Sequence, residues 1–210
     1  MDDLDALIRR VDPDRWLSSR FVGDAQARAD VIALYAFDHE LARAPKVASN
    51  ALLGEIRLTW WREVLDEVFE GRPVRHHPTA QALAAAVAHH GLPRAALEAM
   101  IDARYRELDP TPMSAAEAAE WARGTAGQAA AVAARILDPT SDPSAAEAAG
   151  AAWMLARRGQ APDMAAARAG ARKLSAAAFP AVAHATLAGR SDSEFGKRLR
   201  LLLAVALGRI

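Results

Sequence analysis

Cysteine is absent from this chain, which removes disulfides, thiolate zinc sites and cysteine nucleophiles from consideration. A charge excess is missing too, since 26 Lys plus Arg balance 26 Asp plus Glu. Nothing in the composition therefore selects for a polyanion, and no nucleic-acid partner is expected. No apolar run approaches the ~20 residues that span a bilayer. The amino-terminal MDDLDALIRR is acidic and lacks an apolar signal-peptide core, so the expected location is cytoplasmic. β-Branched residues are sparse and no Gly/Ser-rich or charge-run linker divides the 210 residues. Strands are thus not expected, and residues 1–210 read as a single domain.

What is present is helix. Alanine dominates, and it is the strongest helix former. The stretch Arg28–Arg72 reads as a helical hairpin. In Arg28–Arg43, the residues Val31, Leu34, Phe37 and Leu41 recur at steps of three and four, with Pro45 as the stop. In the second arm Leu53, Ile56, Trp60, Val64 and Val68 make a similar stripe, widened by Leu58, Trp61, Leu65 and Phe69 before Gly71 and Pro73. Further helices are expected over Asp2–Val11, Pro78–His90, Pro93–Asp109, Ser114–Leu137, Ala145–Arg158, Asp163–Leu174 and Asp192–Ile210. Asp12 and Pro13 read as a cap and helix start, with LSSRFVGD as a loop. Ser114 and Glu117 have capping-box spacing.

Few residues carry chemistry. His76-His77 and His89-His90 invite a metal reading. Adjacent residues point in different directions, however, and neither H-x-x-x-H nor an acidic partner spacing accompanies them, so no metal ligand is assigned. Gly124 and Gly127 lie inside a helix, where they cost propensity and allow a helix or a ligand to approach the backbone. The last helix is basic and amphipathic, through Phe195, Leu199, Leu202 and Leu203 with Lys197, Arg198 and Arg200. It reads as a docked terminal helix, with peripheral contact to the inner membrane as the alternative.

Tyr35-Ala36-Phe37, Trp60-Trp61-Arg62-Glu63, Tyr105-x-x-Leu108-Asp109 and Arg123-Gly124-Thr125-Ala126-Gly127, in this order, resemble the squalene/phytoene synthase family. The resemblance covers most of Trp16–Leu137. It implies an all-α, isoprenoid-synthase-like helical bundle with a central cavity. Active members condense two prenyl diphosphates using magnesium held by two aspartate-rich motifs. Here His39-Glu40-Leu41-Ala42-Arg43-Ala44-Pro45-Lys46 stands where the first motif belongs. Where the second belongs, Asp163 is the one acid between Ala148 and Gly189. The form YAFDHELARAPK followed by TWWREV is more similar to a non-catalytic branch, the mitochondrial complex I assembly factors and their bacterial relatives. That implies respiratory-complex subunits or assembly factors as partners.

Three readings follow. The first is a degenerate synthase fold that acts by binding, either in respiratory complex assembly or on a retained prenyl or lipid ligand, without a cofactor. Its cavity residues, carried over from the family's motifs, are Tyr35, Asp38, Arg43, Tyr105, Asp109, Gly124 and Gly127. The second is an active prenyltransferase with magnesium on Asp38, Glu40, Asp102 and Asp109, which requires those carboxylates to share one cavity. The third is a scaffold with no ligand, in which the tryptophans are core. An open channel lined by Phe37, Trp60 and Tyr105 would speak for a ligand.

Overall fold

In the computed structural model, which describes residues 2–46, 48, 50–190 and 193–210, one helix is enclosed by the others. This is α3 (Ala25–Lys46), in which every residue from Val31 to Asp38 is buried. A helix packed on one face only shows the three-and-four stripe read from the sequence. Burial of the intervening Ile32, Ala33, Tyr35, Ala36 and Asp38 means that α3 has neighbours all round. They are α1 (Asp2–Val11), α2 (Pro13–Ser19), α4 (Ala51–Phe69), α5 (Pro78–His90), α6 (Arg94–Tyr105) and α8 (Gln128–Leu137). A second group is formed by α7 (Ala115–Ala122), α8, α9 (Pro143–Arg157) and α10 (Met164–Ala171). The terminal α11 (Glu194–Leu207) lies on the 3₁₀ turn Ala183–Leu187 and on α2. No strand occurs among the described residues.

The bounds of α1 and α5 coincide with those read from the sequence. The cap and helix start read at Asp12 and Pro13 are present: Asp12 accepts from the Arg15 amide at 3.3 Å and Pro13 opens α2, which extends to Ser19 and so takes in the first three residues of the expected loop LSSRFVGD. Ser18 donates its hydroxyl to the Pro180 carbonyl at 2.6 Å. That tie fastens α2 to the carboxyl-terminal half. The helix α3 starts three residues earlier than expected, where Asp24 accepts from the Ala27 amide at 2.7 Å, and it carries Pro45 in its last turn. Conversely, α6 stops at Tyr105 and passes into a 3₁₀ turn, Arg106–Leu108. The capping box of Ser114 and Glu117 is present as expected. The proposed start of the last helix at Asp192 lies outside the described residues; α11 is capped by Ser193, which accepts from the Gly196 amide at 3.2 Å.

The apolar stripe of α4 differs from expectation. Leu58, Trp61, Val64 and Leu65 are buried, whereas Leu52, Leu53 and Ile56 are exposed. In these first turns Gly54 is the buried residue, placed where a Cβ would meet the Leu108 side chain, and periodicity alone cannot register which residues a partner covers.

Close approach of helices explains the mid-helix glycines. Between α7 and α8 the backbone widens into a π-turn, Arg123–Gly127, in which the Thr125 hydroxyl donates to the Trp121 carbonyl at 2.8 Å. A Cβ at Gly124 would stand 2.7 Å from the Ala103 Cβ on α6. One at Gly127 would stand 2.9 Å from the Glu147 carbonyl oxygen on α9. In return, a Cβ at Gly150 on α9 would meet the Ala126 carbonyl oxygen at 2.3 Å. Backbone sits against backbone here, so no side chain can move aside. Gly150→Ala should therefore destabilise the chain by about 1–3 kcal/mol through overpacking, read as a lower denaturation midpoint.

Candidate functional site

Two of the seven residues expected to line a central cavity, Tyr35 and Asp38, are held instead in a buried ionic cluster. Asp38 reaches the cluster from the middle of α3 with 1% of its surface exposed. Each of its carboxylate oxygens accepts from a different arginine: Arg15 on α2 and Arg104 on α6, both at 2.7 Å. Arg15 also binds Asp12 at 2.5 Å, and Arg104 binds Glu107 at 2.7 Å. Trp121 donates its indole N–H to Glu107 at 2.9 Å, while the Arg158 guanidinium stands over the Trp121 ring at 3.9 Å. The Tyr35 ring lies 4.8 Å from the Arg15 guanidinium carbon.

Electrostatics follow from this packing. Burial by itself would raise Asp38, but the charges of Arg104 and Arg15 outweigh it and hold the carboxyl at about 2, against an ordinary 3.8. Burial pushes the Tyr35 phenol up, an effect that Arg15 reduces. Buried ions of this kind are sustained only by mutual pairing and hydrogen bonds. The pairing is incomplete at three atoms, because Arg15 Nη1, Arg104 Nε and the Tyr35 hydroxyl are buried without a hydrogen-bond partner.

The structure joins only some of the seven candidate positions. Tyr35 and Asp38 meet through Arg15. Arg43 is on the outside, paired with Glu40 at 3.0 Å, and borders a separate surface cleft of about 320 Å³ with Trp60 and His77. Tyr105 is partly buried, with the Arg62 guanidinium 5.7 Å from its ring. Asp109 is exposed and accepts from the Thr111 amide at 2.8 Å, so it serves a turn. Gly124 and Gly127 face α6 and α9 rather than a ligand. Phe37, Trp60 and Tyr105 do not share a channel: Phe37 is fully buried and packs edge-on against Trp61 at 5.2 Å.

The four carboxylates of the transferase reading are likewise dispersed. Asp38 is saturated by two arginines, Glu40 faces Arg43, exposed Asp102 pairs with Arg62, and Asp109 stands at the surface turn. Asp163 is spent capping α10, where it accepts from the Ala166 amide at 2.9 Å. Magnesium needs several carboxylate or phosphate oxygens in one octahedral shell. Among the described residues no two of these acids are free and adjacent, so they do not fit that ion.

Sequence reasoning missed two things. Arg15 and Arg104 are the partners that consume Asp38, and they lie 23 and 66 residues from it. The second is a cavity of about 780 Å³ between α1, α3 and α5, with Arg9, Arg10, Arg20 and Arg28 on its rim and Leu4 and Ile32 in its floor. The sequence offered little signal for it, because Arg9 and Arg10 in the last turn of α1 suit the negative end of any helix.

Comparison with known proteins places these observations. The family model described as squalene/phytoene synthase matches residues 8–161. Over 103 residues the chain is 33% identical to NADH dehydrogenase (ubiquinone) complex I, assembly factor 6, of Bos taurus and 32% identical to that of Homo sapiens. Those matches cover 49% of this chain and only 30% of each relative's length. Among solved structures, a dehydrosqualene synthase in complex with ligand superposes on 98% of this chain and 95% of its own with a TM-score of 0.69. At 14% identity that likeness is one of fold.

Asp38→Ala should cost about 3–5 kcal/mol, because it leaves two buried guanidinium groups without their shared counter-ion; chemical denaturation measures the loss. The acid limb carries the same information. A carboxyl lowered in the folded state stabilises above its ordinary 3.8, and that contribution drains away as pH falls towards about 2. The wild-type chain should therefore lose stability across this interval, and the variant should lack that part of the slope.

Proposed function

This chain belongs to the squalene/phytoene synthase family, and from that premise we propose that it works by binding in the biogenesis of respiratory NADH dehydrogenase, not by prenyl transfer. The observation that carries this reading is the state of Asp38. A metal ion would have to share this buried carboxylate with two guanidinium groups that cannot lose their charge, each already holding one of its oxygens, and their repulsion disfavours a second cation there. The likeness to the complex I assembly factors of cow and human supports respiratory-complex subunits or other assembly factors as partners.

A retained prenyl or lipid ligand is the second reading, and the cavity between α1, α3 and α5 favours it. Its arginine rim suits an anionic head and its apolar floor suits a hydrocarbon chain. Peripheral membrane contact through α11 belongs to the same proposal. No helix among the described residues is long and apolar enough to cross a membrane. On α11, Leu201 and Ala204 face the core, whereas Phe195, Leu199, Leu202, Leu203 and Leu207 are exposed at steps of three and four. Arg198 and Arg200 flank this outer face, the arrangement of a helix lying on an anionic bilayer.

Two measurements test these statements. Incubated with magnesium and farnesyl or geranylgeranyl diphosphate, the folded chain should release no diphosphate above the protein-free rate; enzyme-like turnover would end the non-catalytic reading. In sedimentation with phosphatidylglycerol vesicles, the wild-type chain should pellet and Leu203→Asp should stay in the supernatant. Equal recovery of both proteins in the supernatant would remove the membrane contact.

A further inference from the structure

Among the described residues five acids are buried, and four of them are neutralised by permanent cations. Asp12 and Asp38 have Arg15, with Arg104 also on Asp38; Asp14 has Arg157 and Lys197, and Glu67 has Arg75. Asp30 is the exception. It is 3% exposed, and among the described residues no arginine or lysine pairs with it. Its partners are two imidazoles and an amide. His89 Nδ1 stands 3.0 Å and His90 Nε2 2.9 Å from the same oxygen, Oδ2. Gln26 donates to the other oxygen, Oδ1, at 3.1 Å.

Neighbouring residues on a helix diverge, which is why the pair His89-His90 carried no ligand assignment on sequence grounds. The structure overcomes the divergence by using opposite nitrogens. His89 presents its near nitrogen and His90 its far one, and the two arms arrive at one point on α3 from the last turn of α5. The missing acidic partner is supplied from 59 residues away.

From this geometry we propose that Asp30, His89 and His90 form a binding site for a divalent transition-metal ion of the zinc class. A buried carboxylate requires compensating charge, and among the described residues no permanent cation pairs with Asp30. A divalent ion supplies the charge, and two imidazoles with one carboxylate are the donor set such ions prefer over magnesium or calcium. The three donor atoms lie within 4.8 Å of one another. Ligands bonded at ~2.1 Å to a tetrahedral ion stand about 3.4 Å apart, so each imidazole nitrogen, now 3.0 and 2.9 Å from Oδ2, needs to draw back from that oxygen by only a few tenths of an ångström to admit the ion. Gln26 holds Oδ1 and thereby leaves Oδ2 to the ion, a supporting contact of the kind that orients metal ligands. Asp30 and His89 are also part of the wall of the 780 Å³ cavity, which leaves a fourth coordination position open towards it.

The test uses the full-length, tag-free chain stripped with a chelator and titrated with zinc against a chromophoric competitor, and with cobalt in the visible range. One equivalent of zinc should bind, with the intense d–d absorption of low-coordinate cobalt. His90→Ala should weaken zinc roughly a hundredfold and Gln26→Ala by about tenfold, while His76→Ala, at an exposed histidine outside the cluster, should bind as wild type. Metal-free melting temperatures measured on the wild type and all three variants separate ligand loss from misfolding. A wild-type chain that binds no zinc, or one whose affinity is unchanged by His90→Ala, overturns the proposal and leaves the trio as a proton-linked tie between α3 and α5.

Discussion

The contact between Asp38 and two arginines sets the terms for the rest of the structure. It joins α2, α3 and α6 at one carboxylate in the middle of the bundle, where neither charge can escape to water. Three helices are thereby fixed in register by geometry as well as by apolar burial. Such a centre adds little net stability over a hydrophobic one, but it penalises any arrangement that leaves an ion unpaired. It also gives the middle of the bundle a carboxylate flanked by two permanent positive charges.

The alanine-rich composition serves the same architecture. Where Ala126 and Gly127 meet Glu147 and Gly150, the π-turn between α7 and α8 touches α9 through backbone atoms. Large side chains are concentrated instead around α3, where Phe37, Tyr35, Trp61 and Trp153 fill the space between more widely separated helices. Small residues at one interface and aromatic residues at another divide the bundle into a tight layer and a broad one.

Charge outside the centre is organised differently. The arginine rim between α1, α3 and α5, and the flanks of α11, expose cations beside apolar surface, an arrangement suited to amphiphilic anions and not to polynucleotides. The cluster of Asp30, His89 and His90 lies on the wall of the first of these regions. It is the one place among the described residues where a buried acid relies on groups whose charge depends on proton or metal.

Local interactions were legible in the sequence. The all-α class, the bounds of α1 and α5, the capping box at Ser114 and the loss of both aspartate motifs all depend on residues within a few positions of one another, so propensity, capping and spacing determined them. Long-range partners were not legible. Asp38 reads as a cavity acid until Arg15 and Arg104 are brought to it, and His89-His90 reads as a helix end until α3 delivers Asp30. The exposed start of α4 and the closed faces of Gly124 and Gly127 have the same origin. Sequence by itself determined which helices form and which motif is missing; the packing of those helices alone decided what each polar side chain meets, because pairing energies depend on distances that only the folded chain creates.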